Sequence, residues 1–190
     1  MAATARPVAP WLRYVPFLVL IGFLAAALLY RENLDARAEV GAPAPNFTLE
    51  TLEGEQVSLA AFAGRPVIIN FWTTWCPECK DEMPALEAFH RRWGDQIVLL
   101  GVNMRETPGL VRPFVEEYQA TYPILLDRFG RVSRLYRVTG VPETWLIDRN
   151  GIAVARYIGP LTHQHLEQAA ELLLADEKPG QEAISGGGRW

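Results

Sequence analysis

Cysteine is nearly absent. The 190-residue chain carries two, Cys76 and Cys79. Two cysteines three positions apart cannot staple a fold, so a disulfide framework is excluded and stability must come from a core. Residues of hydrophobic type make up 49% of the chain, which is ample, although an N-terminal apolar run inflates the figure. Histidine is also scarce, at three. With no second cysteine pair, and with His163 and His165 spaced wrongly on what reads as the last helix, a structural zinc site has no ligand set. Lysine occurs only at Lys80 and Lys178. The formal net charge is −4 and the sequence shows no basic patch, which leaves nucleic-acid binding without electrostatic support. No internal repeat is present.

Charge is missing altogether from Tyr14 to Tyr30, a stretch dominated by Leu, Ile, Val, Phe and Ala. That run stands at the short end of the roughly 17–25 residues that a spanning helix needs. Arg6 and Arg13 precede it, and mixed charges (Arg31, Glu32, Asp35) come after it, so the positive-inside tendency puts the N-terminus in the cytoplasm and the bulk of the chain outside. A cleaved signal peptide competes, because small-residue sites occur at Ala25–Ala27 and Ala36–Ala38. The run is, however, longer than the ~7–15 residues of a signal h-region, which favours an uncleaved anchor.

Beyond the apolar run, the chain alternates between strand and helix patterns. Phe47–Leu49 and Val57–Leu59 read as short strands around a Glu53-Gly54 turn, and Leu59–Phe62 as a helical turn. Val67–Trp72 reads as a buried strand, and Ile97–Val102 is a continuous apolar run, expected of a strand covered on both faces. Thr107–Gln119 and Arg131–Tyr136 fit helices, and Tyr122–Asp127 and Thr144–Ile147 fit strands. Asp148-Arg149-Asn150-Gly151 predicts a hairpin turn, with Ile152–Ile158 returning antiparallel. Thr162 is placed to cap a final helix bearing Leu166, Ala169, Ala170 and Leu173. This order predicts an α/β three-layer domain.

Both cysteines fall at one junction of these elements. Trp75-Cys76-Pro77-Glu78-Cys79 sits between the strand Val67–Trp72 and a helix carrying Met83, Leu86 and Phe89, with Pro84 inside it to kink it. A Cys-x-x-Cys opening a helix is suited to thiol–disulfide exchange. Only a thiolate attacks a disulfide, and a helix N-terminus favours that anion. Pro77 falls at the first helical position, where its missing N–H costs nothing. Cys76 is therefore the expected nucleophile and Cys79, one turn on, the resolving thiol. Glu78 and Glu82 are either neighbours that oppose thiolate formation and favour a more reducing couple, or solvated surface acids. Pro142, after Val141 and before a strand, is either cis, offering a free backbone edge to an extended peptide, or an ordinary turn proline. Glu143 beside it is a proton relay or a surface acid.

The stretch Asn70-Phe71-Trp72-Thr73-Thr74-Trp75-Cys76-Pro77-Glu78-Cys79-Lys80-Asp81-Glu82-Met83-Pro84 resembles the active-site segment of the TlpA/ResA/CcmG (DsbE) family of membrane-anchored, thioredoxin-like disulfide reductases. Gly41–Phe47 and Leu59–Pro66 resemble that family's opening hairpin and its approach to the first core strand, and Gly140–Asp148 resembles its cis-proline loop. The match spans about Val40 to Leu174. The resemblance implies a thioredoxin-like three-layer α/β fold, a central mixed sheet flanked by helices, behind an N-terminal transmembrane helix. It implies an exposed nucleophile Cys76, a buried Cys79, a cis Pro142, and a partner-binding surface at Trp75, Pro77, Val141 and Pro142. Thioredoxin proper has a buried Asp where this chain has Asn70, so the resemblance passes proton handling to Glu82 and Glu143. An extra helix and strand are implied between about Met104 and Asp127.

The organisation expected is a cytoplasmic N-terminus (1–13), a transmembrane anchor (14–30), a linker (31–39), the thioredoxin-like domain (40–176) and a disordered tail (177–190). The implied activity is extracytoplasmic disulfide reduction with no cofactor beyond the redox-active Cys76–Cys79 pair and no metal. The implied client is apocytochrome c, whose haem-binding cysteines are reduced before haem attachment, and the implied electron donor is a membrane protein resembling CcdA or DsbD. Alternatives are another client, such as a copper-site or sporulation protein; a thiol peroxidase, since Thr73 gives Thr-x-x-Cys; and a copper chaperone. Trp145 where Phe is more usual, and a mixture of CcmG-like and ResA-like segments, leave the branch open.

Overall fold

The structure is a computed structural model that describes residues 14–34 and 37–175, with side chains for 14–25 and 37–175. The predicted cytoplasmic N-terminus (1–13) and tail (177–190) lie outside the described residues. The chain forms two units, divided at Ala36/Arg37.

In the first unit, α1 (Val15–Leu34) covers the predicted span. Its described apolar side chains, Phe17, Leu20 and Phe23 among them, are exposed. Among the described residues no helix is long and apolar enough to cross a membrane. Residues 26–30 of the predicted span lie outside those whose side chains are described.

The second unit is built on a seven-stranded mixed sheet. Its strands are β1 (Thr48–Thr51), β2 (Gln56–Ser58), β3 (Val67–Trp72), β4 (Val98–Met104), β5 (Ile124–Asp127), β6 (Glu143–Ile147) and β7 (Ala153–Ile158), in the order β2-β1-β5-β4-β3-β6-β7. β3, β4 and β5 run parallel; β1, β2, β6 and β7 pair antiparallel. Every residue of β3 is buried, Asn70 included, as expected of this segment. The hairpin strands β1 and β2 are displaced from Phe47–Leu49 and Val57–Leu59 because Thr51 Oγ1 accepts the N–H groups of Glu53 and Glu55, closing the turn there.

The remaining elements are α2 (Pro77–Trp93), α3 (Pro108–Glu117), α4 (Arg131–Leu135) and α5 (His163–Leu174). Strand side chains alternate between faces, and the core divides accordingly. Ile68, Trp72, Leu99 and Leu146 pack with Met83, Leu86 and Phe89 of α2, Val111 and Phe114 of α3, and Leu166 and Ala170 of α5. On the other face Ile69, Phe71, Val102 and Trp145 pack with Val132 and Tyr136 around α4 and with Ala38 and Phe47. Trp72 and Trp145, almost fully buried on opposite faces, each contribute roughly 2–3 kcal/mol through area removed from water. β4 must carry glycine at 101, since a Cβ there would stand 2.9 Å from both Tyr122 and Ile124 side chains. α2 continues through Pro84. At α5, Thr162 Oγ1 accepts the His165 N–H and His165 Nδ1 accepts the Thr162 N–H, a reciprocal cap in which histidine takes the usual place of Glu or Gln.

Candidate active site

Cys76 is the N-cap of α2 and Pro77 its first residue, as the spacing predicted. The chain leaves β3 at Trp72, turns through Thr73–Trp75 and enters the helix, which places the sulfur over the α2 N-terminus. Cys76 and Cys79 form a disulfide with Cα atoms 5.3 Å apart. The Cys79 N–H donates to Cys76 Sγ at 3.1 Å. Once the pair is reduced, that N–H and the helix N-terminus favour Cys76 as thiolate. Glu78 Oε2 lies 3.9 Å from the same sulfur and acts in the opposite sense.

Val141-Pro142 is a cis peptide. The Val141 carbonyl oxygen lies 3.6 Å from Cys76 Sγ, so the loop before β6 abuts the disulfide directly. The expectation of an exposed Cys76 is corrected here: it is 2% exposed, and Cys79 is fully buried. Closing a disulfide within one helical turn draws Sγ inward, against Val141 and the first turn of α2. Exposure passes to Trp75, 68% accessible immediately before it. A groove of about 410 Å³ opens there, with Thr73, Trp75, Arg105, Ser133, Arg134 and Val141 in its wall. Of the four residues expected to bind a partner, Trp75 and Val141 line it. Pro77 is exposed on α2, and Pro142 is buried.

The two acids assigned to proton handling have different surroundings. Glu82, 2% exposed, accepts the Asn70 Nδ2–H at 2.8 Å and the Leu161 N–H at 2.9 Å. Asn70 also donates to Thr144 Oγ1 at 3.0 Å. Burial pushes the Glu82 carboxyl up to about 7, against the pull of these two hydrogen bonds. Such a group can give or take a proton near neutrality.

Glu143 lies across the sheet. Asn70 is opposite Thr144, and Phe71 is opposite Glu143. Thr144 therefore shares a face with Asn70 and Glu82, whereas Glu143 shares one with Trp145. Its carboxylate is held by Arg156 Nε and Nη2, both at 2.9 Å, by Trp145 Nε1 at 3.0 Å and by the Thr139 N–H at 3.2 Å. Glu82 and Glu143 thus stand on opposite faces of the sheet, and a bidentate arginine holds Glu143, which ties the cis-proline loop to β7.

Sequence reasoning missed a third acid. Glu106 accepts the Thr74 N–H at 2.8 Å, the Thr74 hydroxyl at 2.6 Å and Asn103 Nδ2 at 2.7 Å, fixing the turn that precedes Cys76. Its signal was available only as a carboxylate just before a predicted helix, Thr107–Gln119. Among the described residues the buried Thr73 hydroxyl has no hydrogen-bond partner, so it does not engage the Cys76 sulfur as a peroxidase-like Thr-x-x-Cys reading requires.

A chain with a buried disulfide at a helix N-terminus, against a cis-proline loop, on this sheet order, also matches known proteins. A family model described as the AhpC/TSA family matches residues 40–156. The chain belongs to that family. Within it, this chain is a thioredoxin-like thiol-disulfide oxidoreductase of the ResA and DsbE type. It is 35% identical over 156 residues to the thiol-disulfide oxidoreductase ResA of Halalkalibacterium halodurans, covering 82% of this chain and 88% of that one. It is 32% identical over 166 residues to the thioredoxin-like protein YneN of Bacillus subtilis, covering 85% and 97%. The solved structure of StoA from Bacillus subtilis superposes with a TM-score of 0.61 at 32% identity, covering 68% of this oxidoreductase and 98% of StoA.

Proposed function

We propose that this oxidoreductase is a membrane-tethered, extracytoplasmic disulfide reductase whose client is apocytochrome c. The observation that carries the chemistry is the placement of Cys76 Sγ between the Cys79 N–H and the Val141 carbonyl, next to Val141 and Trp75, which line an open groove. The Cys76 thiolate attacks one sulfur of the client disulfide. A mixed disulfide forms and one client thiolate leaves, taking a proton. Cys79, deprotonated, then attacks Cys76 Sγ. The Cys76–Cys79 disulfide forms and the second client thiolate leaves, so two electrons pass from the chain to the client. Glu82 is the buried group that accepts the Cys79 proton, and Glu143 positions the loop. An extended client lies along Val141 beside Trp75.

The haem-maturation client is supported by the resemblance of the active-site and cis-proline segments to the CcmG and ResA reductases. The tether is supported by the uncharged run Tyr14–Tyr30 behind Arg6 and Arg13. A membrane dithiol donor resembling CcdA or DsbD would restore Cys76 and Cys79.

Cys79→Ser expressed in the native host is the test. It should accumulate mixed disulfides on Cys76, with apocytochrome c among them, and Cys76→Ser should abolish exchange. A trap holding a copper-site or sporulation protein instead would move the client and leave the chemistry. Undiminished multiple-turnover reduction by Cys79→Ser would overturn the roles of the two thiols.

A further inference from the structure

The net charge of −4 conceals a local excess of the opposite sign. From Arg128 to Pro142 the chain has Arg128, Arg131, Arg134 and Arg137 and no acid. Arg105, at the end of β4, joins them: its backbone N–H bonds the Asp127 carbonyl, and its side chain lies against Gly130. All five arginines are exposed. Among the described residues none of the five has a carboxylate within salt-bridge distance, unlike Arg91, Arg92, Arg112 and Arg156. The acids nearest in sequence are spent elsewhere. Asp127 is buried and accepts the N–H groups of Arg131 and Ser133. Glu106 holds Thr74, and Glu143 holds Arg156. Glu78, beside the Cys76 sulfur, is the acid that remains exposed there.

Two of these arginines, Arg105 and Arg134, stand in the wall of the groove that meets Val141 and Trp75. The same wall holds Thr73 and Ser133, whose buried hydroxyl groups have no hydrogen-bond partner. Buried hydroxyls are ordinarily satisfied, so the groove offers polar capacity as well as positive charge. We propose that this groove is the specificity surface for the client, and that it selects a protein whose disulfide is flanked by acidic residues. Arg105 and Arg134 engage the client's carboxylates, while Arg131 and Arg137 steer it as it approaches. The inference rests on the disulfide-reductase reading and adds the chemical class of the substrate segment. Arginine suits the task, because its guanidinium meets a carboxylate in two parallel hydrogen bonds and keeps its charge at any working pH.

The test uses the reduced full chain with three disulfides: a Cys-x-x-Cys peptide flanked by Asp and Glu, the same peptide flanked by Lys, and neutral 2-hydroxyethyl disulfide. At low salt the acidic peptide should be reduced at least about tenfold faster than the basic one, the lower end of what electrostatic steering provides. The ratio should fall towards one at about 0.5 M salt, where screening shortens to a few ångströms. Arg105→Glu with Arg134→Glu should invert the ratio, and Arg105→Gln with Arg134→Gln should bring it close to one. Equal wild-type rates for the two peptides, or a ratio that salt and both variant pairs leave unchanged, would overturn the proposal, whatever other partner the arginines serve. Failure to reduce even the neutral disulfide would instead remove the reductase reading and this inference with it.

Discussion

Glu82 and Glu143 are the same residue type at nearly the same burial, 2% and 0% exposed, on opposite faces of one sheet. Among the described residues Glu82 has two neutral donors and no cation within salt-bridge distance. Glu143 has a bidentate arginine, an indole and a threonine N–H. Burial alone therefore does not decide what a buried carboxylate does. Two neutral hydrogen bonds do not offset the lost hydration of a charge, so the Glu82 proton becomes mobile near neutrality. Arg156, Trp145 and Thr139 instead make Glu143 a strut between the cis-proline loop and β7.

The comparison is most easily broken at Arg156. Arg156→Met strands the Glu143 charge and should destabilise the domain by about 3 kcal/mol, the cost of leaving one partner of a buried pair uncompensated. Urea unfolding would measure it, and Arg156→Met with Glu143→Gln should recover most of the loss. A cost for Arg156→Met below about 1 kcal/mol, typical of exposed pairs, would remove the contrast between the two acids.

Glu82 should respond to pH rather than to the loss of a partner. Its folded-state value, about 7, lies above its ordinary 4.5. The folded chain keeps the proton longer, so the contribution to stability is complete below pH 4.5 and is lost as pH rises through about 7. Over that window oxidised wild type should lose roughly 3 kcal/mol relative to Glu82→Gln. Parallel stability curves for the two proteins would show that the carboxyl has its ordinary value. The smallest effect concerns the thiols. Removing the negative charge with Glu82→Gln should lower the Cys76 thiol pKa by less than about one unit, read from the pH dependence of alkylation. An unchanged titration would return Glu82 to a structural role.

How much of this could be read from the chain depends on the range of each interaction. The α2 N-terminus was legible because Cys76, Pro77 and the apolar stripe at Met83, Leu86 and Phe89 are local signals. β3 was legible as a largely apolar run, and the β6–β7 hairpin from Asp148 to Gly151. The Glu143–Arg156 pair was not, because it depends on the register between those two strands: Trp145 lies opposite Arg156, and a slip of one residue would put the arginine on the other face. The Glu106 clamp on Thr74 spans 32 positions and needs β4 beside β3. The arginine face disappeared into a net negative count, and Arg105, just past β4, joins the Arg128–Arg137 stretch around α4 only through the fold. Cys76 was expected to be exposed on the family resemblance alone, which does not show how its neighbours in this chain close over it.

Asn70 carries one more consequence. Because an amide cannot ionise, the compartment formed by Asn70, Thr144, Leu161 and Glu82 stores a single exchangeable proton, with a single midpoint. Asn70→Asp would put a second carboxyl where the 2.8 Å donor to Glu82 now sits. Two carboxyls at that separation must share a proton, so the compartment would titrate in two coupled steps. The wild-type chain thus behaves as a one-bit store beside its two-electron couple.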